Sequence, residues 1–379
     1  MLLSNPFRPD QRVEKEAKCL SRAGHAVTIV CWDRQQQFEP ISESSGFRVE
    51  RIQDVPTVYG AGARQLLRTP RFWRSAVRRV QTHQPDVVHC HDLDTLPAGW
   101  WIKRNSGCRL VYDAHEDYPA MMSLYLPRIL TAALSWLEHL MLKHVNHTIT
   151  ASTVLADKLR ARGMDHVTTI GNFHNLSTYD RISSPDIESL RSGLGISPGD
   201  LVVTYIGGFS LNRELLPLIE AADGMAGVQV FIWGDGHQRQ LVEQAVAGLD
   251  NVHYRGWLAS ELVPLHTQMS DIIYYCLRED YPGAAYNAPN TLGHAMAAGR
   301  PIIANSVGDL GRIVRQTGCG LLLQSVTPTE IRAAIEALTD PVLRRQMGRA
   351  ARHAAETQYN EAHGDRLLRD IYHQLESNH

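Results

Sequence analysis

Two short runs of ionisable residues each follow a predicted buried strand in the first half of the chain. One is His-Cys-His-Asp-Leu-Asp at residues 89–94, and the other is Tyr-Asp-Ala-His-Glu-Asp at residues 112–117. Because the carboxyl ends of parallel strands share one sheet edge, where open α/β folds bind ligands, we expect these side chains to crowd together. A divalent metal is conceivable from the residue types, but the usual ligand spacings are missing, so we predict no metal site. Solvated loop ends are the alternative for any single residue.

A third segment, residues 286–303, joins a polar loop to a helix rich in small residues and then to a buried strand. The pattern predicts a helix that begins at Asn290 and ends at Gly299. The free N–H groups of Thr291 and Leu292, together with the helix dipole, would then face an anion such as a phosphate.

A glycine turn follows the predicted strand at residues 201–206. Gly207 and Gly208 allow the backbone to approach an anion closely, and Arg213 in the first turn of the next helix would neutralise it. An ordinary strand-to-helix turn with a surface arginine is the alternative. The turn at residues 232–239 resembles half of a dinucleotide fingerprint but lacks its third glycine, so we interpret it as structural.

The length and the charge balance limit the possible classes of protein. A chain of 379 residues is too long for one ordinary core and predicts two domains of about 150 to 200 residues each. The 38 Lys and Arg against 40 Asp and Glu give a formal charge of −2, which offers no support for nucleic acid as a partner. Six scattered cysteines and the lack of a membrane-spanning apolar run favour a cytoplasmic protein.

Short apolar runs alternate with helix-like segments along most of the chain, first between residues 26 and 151 and again between residues 201 and 305. This rhythm predicts two doubly wound parallel sheets that are covered by helices on both faces. The first strand amounts to residues 1–3, which is short for a central strand and raises the possibility of a start upstream of Met1.

Two segments have the composition of surfaces or of packed helices. Residues 55–85 contain no acidic residue but include Phe72, Trp73 and the arginines Arg64, Arg68, Arg71, Arg74, Arg78 and Arg79. The stretch from Arg64 to Arg79 fits either an anionic membrane surface at the inner face of the membrane or a solvated helical face beside an acidic ligand.

Residues 124–145 are apolar at helical spacing, and we interpret them as core.

In their order and spacing, these motifs resemble those of the large family 4 of nucleotide-sugar glycosyltransferases. The resemblance covers nearly the whole chain. It rests on Asp-Gln-Arg-Val-Glu-Lys-Glu-Ala at residues 10–17, Asp-Val-Val-His at 86–89, Tyr-Asp-Ala-His-Glu at 112–116, Ile-Gly-Gly at 206–208, Gly-Asp-Gly at 234–236, Tyr-Arg-Gly at 254–256, Asn-Ala-Pro-Asn at 287–290 and Ala-Met-Ala-Ala-Gly-Arg-Pro at 295–301.

The resemblance implies an α/β fold with two facing Rossmann-like doubly wound domains in the GT-B arrangement and a cleft between them. It places an acceptor-side domain at residues 1–175, a nucleotide-sugar-binding domain at residues 176–358, and a C-terminal helix at residues 359–379 that returns to the first domain. Such enzymes transfer the sugar with retained anomeric configuration. The resemblance implies no cofactor and no metal, with a UDP- or GDP-linked sugar as co-substrate.

The resemblance also assigns roles to individual residues. Arg213 would hold the diphosphate with the backbone of Gly207 and Gly208. His115 matches the family histidine that touches the donor sugar near its reacting carbon, so His115 and Arg213 are the predicted catalytic residues. The other predicted donor-site residues are Gly256, Trp257, Tyr286, Asn287, Asn290, Thr291, Leu292 and His294, and the acceptor-side candidates are Asp10, Arg12, His91, Asp92 and Glu116.

The chain departs from the family pattern where two glutamates usually stand eight positions apart. Tyr286 and His294 occupy these positions. A histidine still donates or accepts a hydrogen bond to ribose hydroxyls, whereas a tyrosine supplies no negative charge against the sugar. Thr291 stands where a lysine is common, and Arg-Pro-Asp-Gln-Arg at residues 8–12 replaces paired glycines.

The leading hypothesis is therefore a metal-independent retaining glycosyltransferase that moves a hexose-type sugar from a nucleoside diphosphate to a small or lipid-linked glycan acceptor. Two alternatives belong to other classes. One is a sugar-nucleotide-binding pseudoenzyme or assembly partner that has lost catalysis with the acidic pair. The other is a nucleotide-sugar epimerase that uses carboxylates of residues 113–117.

Overall fold

The structure is a computed structural model that describes residues 1–8, 10–44, 46–57, 63–288 and 290–377. The chain forms two compact units. Unit 1 comprises Met1–Gly171 and the chain from Gly364 onward, and unit 2 comprises Asn172–His363. The sequence placed these boundaries at residues 175 and 358, so the structure puts the first boundary slightly earlier and the second slightly later.

Unit 1 contains a sheet that is parallel except at one edge. Its strands are β1 (Leu2–Leu3), β2 (Val27–Trp32), β3 (Ile41–Ser44), β4 (Phe47–Ile52), β5 (Val87–His91), β6 (Arg109–Ala114), β7 (His147–Thr150) and β8 (Val167–Thr169). They lie in the order β3-β4-β2-β1-β5-β6-β7-β8, and β3 pairs antiparallel with β4. Although β1 is short, it takes the central place between β2 and β5 that a first strand usually has.

The helices of unit 1 connect these strands. They are α1 (Gln11–Arg22), α2 (Ala63–Gln81), α3 (Leu96–Ser106), α4 (Tyr118–Met122), α5 (Arg128–Leu142) and α6 (Thr153–Ala161). The first of them, α1, begins where the Asp10 side chain accepts a hydrogen bond from the N–H of Val13 at 3.4 Å. Val13, Ala17 and Leu20 then form its buried face at helical spacing.

Unit 2 contains a second, fully parallel sheet in the order β11-β10-β9-β12-β13-β14. Its strands are β9 (Leu201–Ile206), β10 (Val228–Trp233), β11 (Val252–Tyr254), β12 (Ile272–Tyr275), β13 (Ile302–Asn305) and β14 (Gly320–Leu323). Every residue of β12 and β13 is buried, as expected for strands covered on both faces.

The helices of unit 2 alternate with its strands. They are α7 (Leu176–Asp180), α8 (Ser184–Gly193), α9 (Leu216–Ala222), α10 (Arg239–Ala245), α11 (Val263–Met269), α12 (Asn290–Ala298), α13 (Gly308–Thr317), α14 (Pro328–Ala337) and α15 (Pro341–Thr357), with short 3-10 helices at Ser260–Leu262 and Ala284–Tyr286. The predicted fold class, two doubly wound α/β domains, is therefore confirmed.

The last helix, α16 (Glu361–Ser377), completes the core of unit 1. Its buried residues Leu368, Ile371, Tyr372 and Leu375 pack in one cluster with Val111 of β6, Ile149 of β7 and Ile170. Burial of these apolar side chains stabilises unit 1 through a segment distant in sequence.

One local interpretation was wrong. Residues 124–145 look like core, yet α5 leaves Ile129 83% and Trp136 64% exposed. The spacing indicates a helix with an apolar face, but it does not reveal whether another element covers that face.

We expect Gly234→Ala to destabilise unit 2 by about 2–4 kcal/mol. Gly234 has φ +152°, and a Cβ there would lie 1.9 Å from the carbonyl oxygen of Gly207, which is backbone that cannot move aside. Calorimetry of the thermal melt measures the loss. Gly193→Ala is the control, because no neighbouring atom is found within 4 Å of the position that its Cβ would take. If both variants have the same melting temperature, the steric cause is contradicted.

Candidate functional site

The carboxyl edge of the unit 1 sheet holds a buried ion pair. Asp113, near the end of β6, is fully buried, and Arg12 of α1 binds it with two hydrogen bonds of 2.7 Å, from Nε to Oδ2 and from Nη2 to Oδ1. The Nη1 group of Arg12 also donates to the carbonyl oxygen of Ile170 at 2.8 Å. Burial alone would raise the pKa of Asp113, but Arg12 and His115 hold it well below its usual range.

His115 follows β6 and contacts two carboxylates. Its Nε2 lies 3.0 Å from Asp113 Oδ2 and its Nδ1 lies 3.5 Å from Asp92 Oδ2, while its backbone N–H donates to Asp92 Oδ1 at 3.2 Å. Burial would lower the pKa of His115, but the charges of Asp92 and Asp113 outweigh it and raise this pKa to about 10. At neutral pH the ring is therefore an imidazolium.

A second layer of polar groups lies behind this pair. Burial, followed by the charge of Asp113, raises the pKa of Glu16 to about 8, so this carboxyl is largely neutral at pH 7. Burial lowers the pKa of His91 to about 4, and its Nδ1 lies 3.2 Å from His115 Nε2. His89 stacks on His91 with ring centroids 4.5 Å apart and contacts the hydroxyl of Tyr372 at 3.0 Å.

The residues Glu16, His89, His91 and Asp113 are candidate metal ligands by distance, because one ligand atom from each lies within 4.8 Å of the others. Arg12 already binds both oxygens of Asp113. A dication at this place would also lie near the imidazolium of His115, and repulsion between these charges opposes binding. The donor set therefore fits an internal charge network better than a metal.

The structure brings most acceptor-side candidates together. Arg12, His91 and Asp92 all contact His115 or its partner Asp113. Asp10 instead caps α1 and accepts a hydrogen bond from Asn5 at 3.2 Å, and Glu116 is exposed next to His115 in the chain. Our sequence reasoning missed Glu16, although its position one helical turn after Arg12 could have indicated it.

The sequence predicted that Arg213 lies in the first turn of α9. In the structure of unit 2, Arg213 lies before this helix. Its backbone forms an antiparallel bridge with Leu277. On either side, Arg278 N–H donates to Asn212 O at 3.0 Å and Glu214 N–H donates to Cys276 O at 3.2 Å. These bonds hold the segment extended beside the chain that follows β12, so the helix cannot start until Leu216.

The side chain of Arg213 has an unusual environment for a half-buried cation. Its guanidinium carbon lies 4.9 Å above the ring of Tyr275, and its Nη1 donates to Asn212 Oδ1 at 2.6 Å. Its Nε is buried without a hydrogen-bond partner. No carboxylate in the described part of the chain forms an ion pair with Arg213, so its charge is uncompensated locally.

A side-chain hydrogen bond joins the start of α12 to the residue before the glycine turn. The Thr291 hydroxyl donates to the carbonyl oxygen of Ile206 at 3.1 Å, directly before Gly207 and Gly208. We predicted that the backbone of Gly207 contacts an anion. Its N–H instead donates to Trp233 O at 3.0 Å, so this group is not available. The N–H of Gly208 has no backbone acceptor among the described residues, and Gly208 is exposed.

The two positions that depart from the family pattern lie near the same helix start. His294 of α12 stacks on His174 with centroids 3.6 Å apart, and its Nδ1 contacts the hydroxyl of Tyr179 at 2.5 Å. The half-buried Tyr286 ends the 3-10 helix Ala284–Tyr286, and Asn287 N–H donates to Ala284 O at 3.1 Å. Leu292 is buried in the unit 2 core, so only its backbone can contact a ligand.

Gly256 and Trp257 follow the edge strand β11. The carbonyl of Gly256 accepts a hydrogen bond from the N–H of Gly234 at 2.8 Å. The indole of Trp257 is 73% exposed, so its aromatic face is free to stack on a flat ligand. The structure thus places Gly256 beside the β10 turn and leaves Trp257 at the surface.

A cavity of about 510 Å³ lies elsewhere in unit 1, lined by Met1, Val27, Val87, Arg109 and Tyr372 among others. Val27, Val87 and Arg109 begin β2, β5 and β6, so the cavity is at the amino edge of the sheet. Open α/β folds bind ligands at the carboxyl edge, where His115 and Arg12 lie. We therefore assign it no role in the site.

Comparison with solved structures defines the class of protein. Sucrose-phosphate synthase from Thermosynechococcus elongatus matches with a TM-score of 0.84 and 19% identity over 100% of this chain and 99% of that one. Anabaena HepE in complex with UDP-glucose matches with a TM-score of 0.73 and 16% identity over 98% of both chains. The fold is that of the GT-B glycosyltransferases.

Sequence comparison gives the family. The family described as Glycosyltransferase Family 4 matches residues 11–178, and that described as Glycosyl transferases group 1 matches residues 200–340. D-inositol 3-phosphate glycosyltransferase of Geodermatophilus obscurus is 24% identical, covering 90% of this chain and 79% of that protein. Alpha-D-kanosaminyltransferase of Streptomyces kanamyceticus is 22% identical, covering 76% and 77% respectively. The chain belongs to family 4 of the glycosyltransferases and is an enzyme of that type.

We expect Glu16→Gln to reduce the pH dependence of stability between about pH 5 and pH 8. The carboxyl ionises near 4.5 when unfolded but near 8 in the folded chain, so wild-type stability falls as pH rises through this window. This contribution approaches about 1.4 kcal/mol per pH unit at most, and glutamine removes it because it does not ionise. Part of the slope remains above pH 6.5, because the raised pKa of His115 also makes stability fall as pH rises. Urea melts at several pH values measure the slope.

The control for this experiment is Glu14→Gln, because Glu14 pairs with Lys18 and not with Asp113. Its pH slope should equal that of the wild type. A wild-type slope that persists in Glu16→Gln would show that another group is responsible.

Proposed function

We propose that the protein is a retaining glycosyltransferase that moves a sugar from a UDP- or GDP-linked donor to a small or lipid-linked glycan acceptor at the cytoplasmic face of the membrane. The single observation that carries this proposal is Arg213. It is a half-buried cation without a carboxylate partner among the described residues. It follows the glycine turn, and Thr291 at the start of α12 bonds to Ile206 directly before that turn. An anionic ligand such as a diphosphate would complete its charge balance.

The diphosphate has further groups to bind in unit 2. The Gly208 N–H and the positive end of the α12 dipole, at Asn290 and Thr291, offer hydrogen bonds and charge to phosphate oxygens. Tyr275 under the guanidinium of Arg213 restricts its motion, so less entropy is lost when the phosphate binds. We assign Arg213 the largest share of phosphate stabilisation.

His115 takes the role of the family histidine near the reacting carbon in this proposal. As an imidazolium whose two ring nitrogens face Asp92 and Asp113, it supplies positive charge toward the sugar and the leaving phosphate. The leaving diphosphate itself deprotonates the incoming hydroxyl on the face from which it departs. Both cations then stabilise charge that grows only in the transition state.

Ribose and base contacts are assigned to the remaining donor residues. His294, held by Tyr179 and His174, hydrogen-bonds the ribose in place of the usual glutamate, and Trp257 with Gly256 contacts the base. Anabaena HepE was solved with UDP and with UDP-glucose, which supports a nucleoside diphosphate as the ligand of this fold. Tyr286 and Asn287 then lie on the sugar side of the diphosphate.

One alternative function is less compatible with the structure. An epimerase would need free carboxylates from residues 113–117, but Asp113 is bound by Arg12, and Asp117 caps α4 and pairs with Lys158. Neither is available as a base, which leaves the exposed Glu116 as the remaining carboxylate of these residues. The pseudoenzyme remains distinguishable by experiment, because it binds donor without transferring sugar.

The proposal predicts that UDP or GDP raises the melting temperature of the wild type and that Arg213→Ala abolishes most of this rise. Loss of the guanidinium should weaken binding and reduce kcat by about 10²–10³. Thermal shift with nucleotides at millimolar concentration and turnover with released nucleotide are the measurements. Arg239→Ala is the control, because Arg239 is exposed and already paired with Glu243.

If no nucleoside diphosphate and no nucleotide sugar shifts the melting temperature, the donor-site proposal is rejected. A shift without turnover under any acceptor would favour the pseudoenzyme. An isomeric nucleotide sugar formed without acceptor would reveal an epimerase.

We also expect turnover to be insensitive to EDTA. The charge network around Asp113 is balanced by Arg12 and His115 and leaves no site that favours a dication. Turnover of enzyme treated with chelator and then dialysed should equal that of untreated enzyme. A loss that is restored by Mg²⁺, Mn²⁺ or Zn²⁺ would contradict this expectation, and Glu16→Gln would then test whether the buried cluster is the metal site.

A further inference from the structure

A large apolar surface is exposed on unit 1, on the side of α5 and the loop before it. Ile129 is 83% exposed, Trp136 64% and Tyr125 70%, and Leu130 and Leu137 are also exposed. Ile129, Leu130, Ala133, Trp136 and Leu137 recur at helical spacing, and we call them the apolar face of α5. Monomeric proteins rarely leave such a contiguous surface without a partner.

The orientation of α5 is fixed by polar contacts on its other side. Glu138 is buried, and its Oε1 accepts a hydrogen bond from the Tyr112 hydroxyl at 3.3 Å. Arg162 reaches the same residue at 3.4 Å and also donates to Ser135 Oγ at 3.1 Å. Rotation of the helix to bury Ile129 and Trp136 would remove these bonds, so the apolar face must point away from the unit 1 core.

The exposed charged residues of α5 and of the loop before it are all basic. Glu138 is the only acidic residue between residues 123 and 145, and it is buried, whereas Arg128 and Lys143 at the two ends of α5 are exposed. The neighbouring helix α3 contacts both α5 and α2, and it exposes Trp101 and Arg104. The exposed arginines of α2 are Arg68, Arg71, Arg74 and Arg78, while the Arg64 side chain lies outside the described part.

We propose that the apolar face of α5 lies in the interfacial region of an anionic lipid bilayer, with the basic residues of α3 and α2 on the lipid headgroups. An amphipathic helix with Trp at its apolar face and Lys or Arg at its margins binds such a surface in plane. At about 22 Å, the helix has the length for an in-plane position, and no helix in the described ranges is long and apolar enough to cross a bilayer.

Charge favours lipid over a second copy of the chain as the occupant. In a two-fold dimer through α5, Arg128 and Lys143 of each copy would approach basic residues of the other without nearby carboxylates. Anionic headgroups supply the missing negative charge. The sequence predicted membrane contact through residues 64–79, and we add α5 as its apolar part.

The test is binding of the full chain to vesicles of phosphatidylcholine alone or mixed with about one-third phosphatidylglycerol, measured by co-sedimentation. The wild type should bind the anionic vesicles at least about tenfold more tightly than the neutral ones, and salt should weaken this binding. The pair Ile129→Glu and Trp136→Glu should reduce it by about tenfold or more. Because both side chains are exposed, the melting temperature should not change.

The matched control is the pair Leu241→Glu and Val342→Glu, which adds the same charges at exposed apolar positions of unit 2. This pair should bind vesicles like the wild type, apart from a small effect of net charge. Turnover on a soluble acceptor should survive the Ile129 and Trp136 changes, so failure of the membrane surface can be distinguished from failure of the transferase function.

Two outcomes would overturn the proposal. One is a wild type that binds neither vesicle, and the other is an Ile129 and Trp136 variant that binds as the wild type does. Analytical ultracentrifugation measures the oligomeric state of both proteins. If the wild type is a dimer that does not bind vesicles, and the Ile129 and Trp136 variant is a monomer, then the apolar face is an interface between copies.

Discussion

The arrangement of unit 1 depends on one buried negative charge, the carboxylate of Asp113. A carboxylate this deep costs several kcal/mol unless cations and hydrogen bonds compensate it. Arg12 from α1 and His115 after β6 provide that compensation, and the charged state of His115 follows from it. Burial raises the pKa of Glu16 and the charge of Asp113 raises it further, so this carboxyl stays largely neutral. Asp113 thus acts with burial and with Asp92 to set the protonation states of its neighbours.

Unit 2 shows the opposite balance. Arg213 is held by an aromatic ring and a side-chain amide, neither of which carries negative charge. In unit 1 the cation and the carboxylate are both supplied by the chain, whereas no carboxylate among the described residues of unit 2 pairs with Arg213. Because of this contrast we assign Arg213 to ligand binding and Arg12 to positioning, although both are half-buried arginines near the carboxyl end of a parallel strand.

Periodicity was sufficient to predict the strands that carry the site, because a short, mainly apolar run such as Leu201–Ile206 is typical of a strand covered on both faces. Tertiary contacts decided what local patterns could not. Arg213 is not helical because its backbone bonds to Leu277, which lies far away in sequence. The amide of Gly207 is occupied for a similar reason, since it bonds to Trp233. The exposure of Ile129 depends on neighbours that a helical pattern does not identify.

The placement of α16 affects how the chain acquires its structure during synthesis. Val111, Ile149 and Ile170 leave the ribosome early, but the residues that cover them, such as Leu368 and Ile371, are made only after all of unit 2. Unit 1 therefore spends the whole period of unit 2 translation with an uncovered apolar strip, which is a target for chaperones and for aggregation. Folding of the first unit is completed by a segment that is made after unit 2.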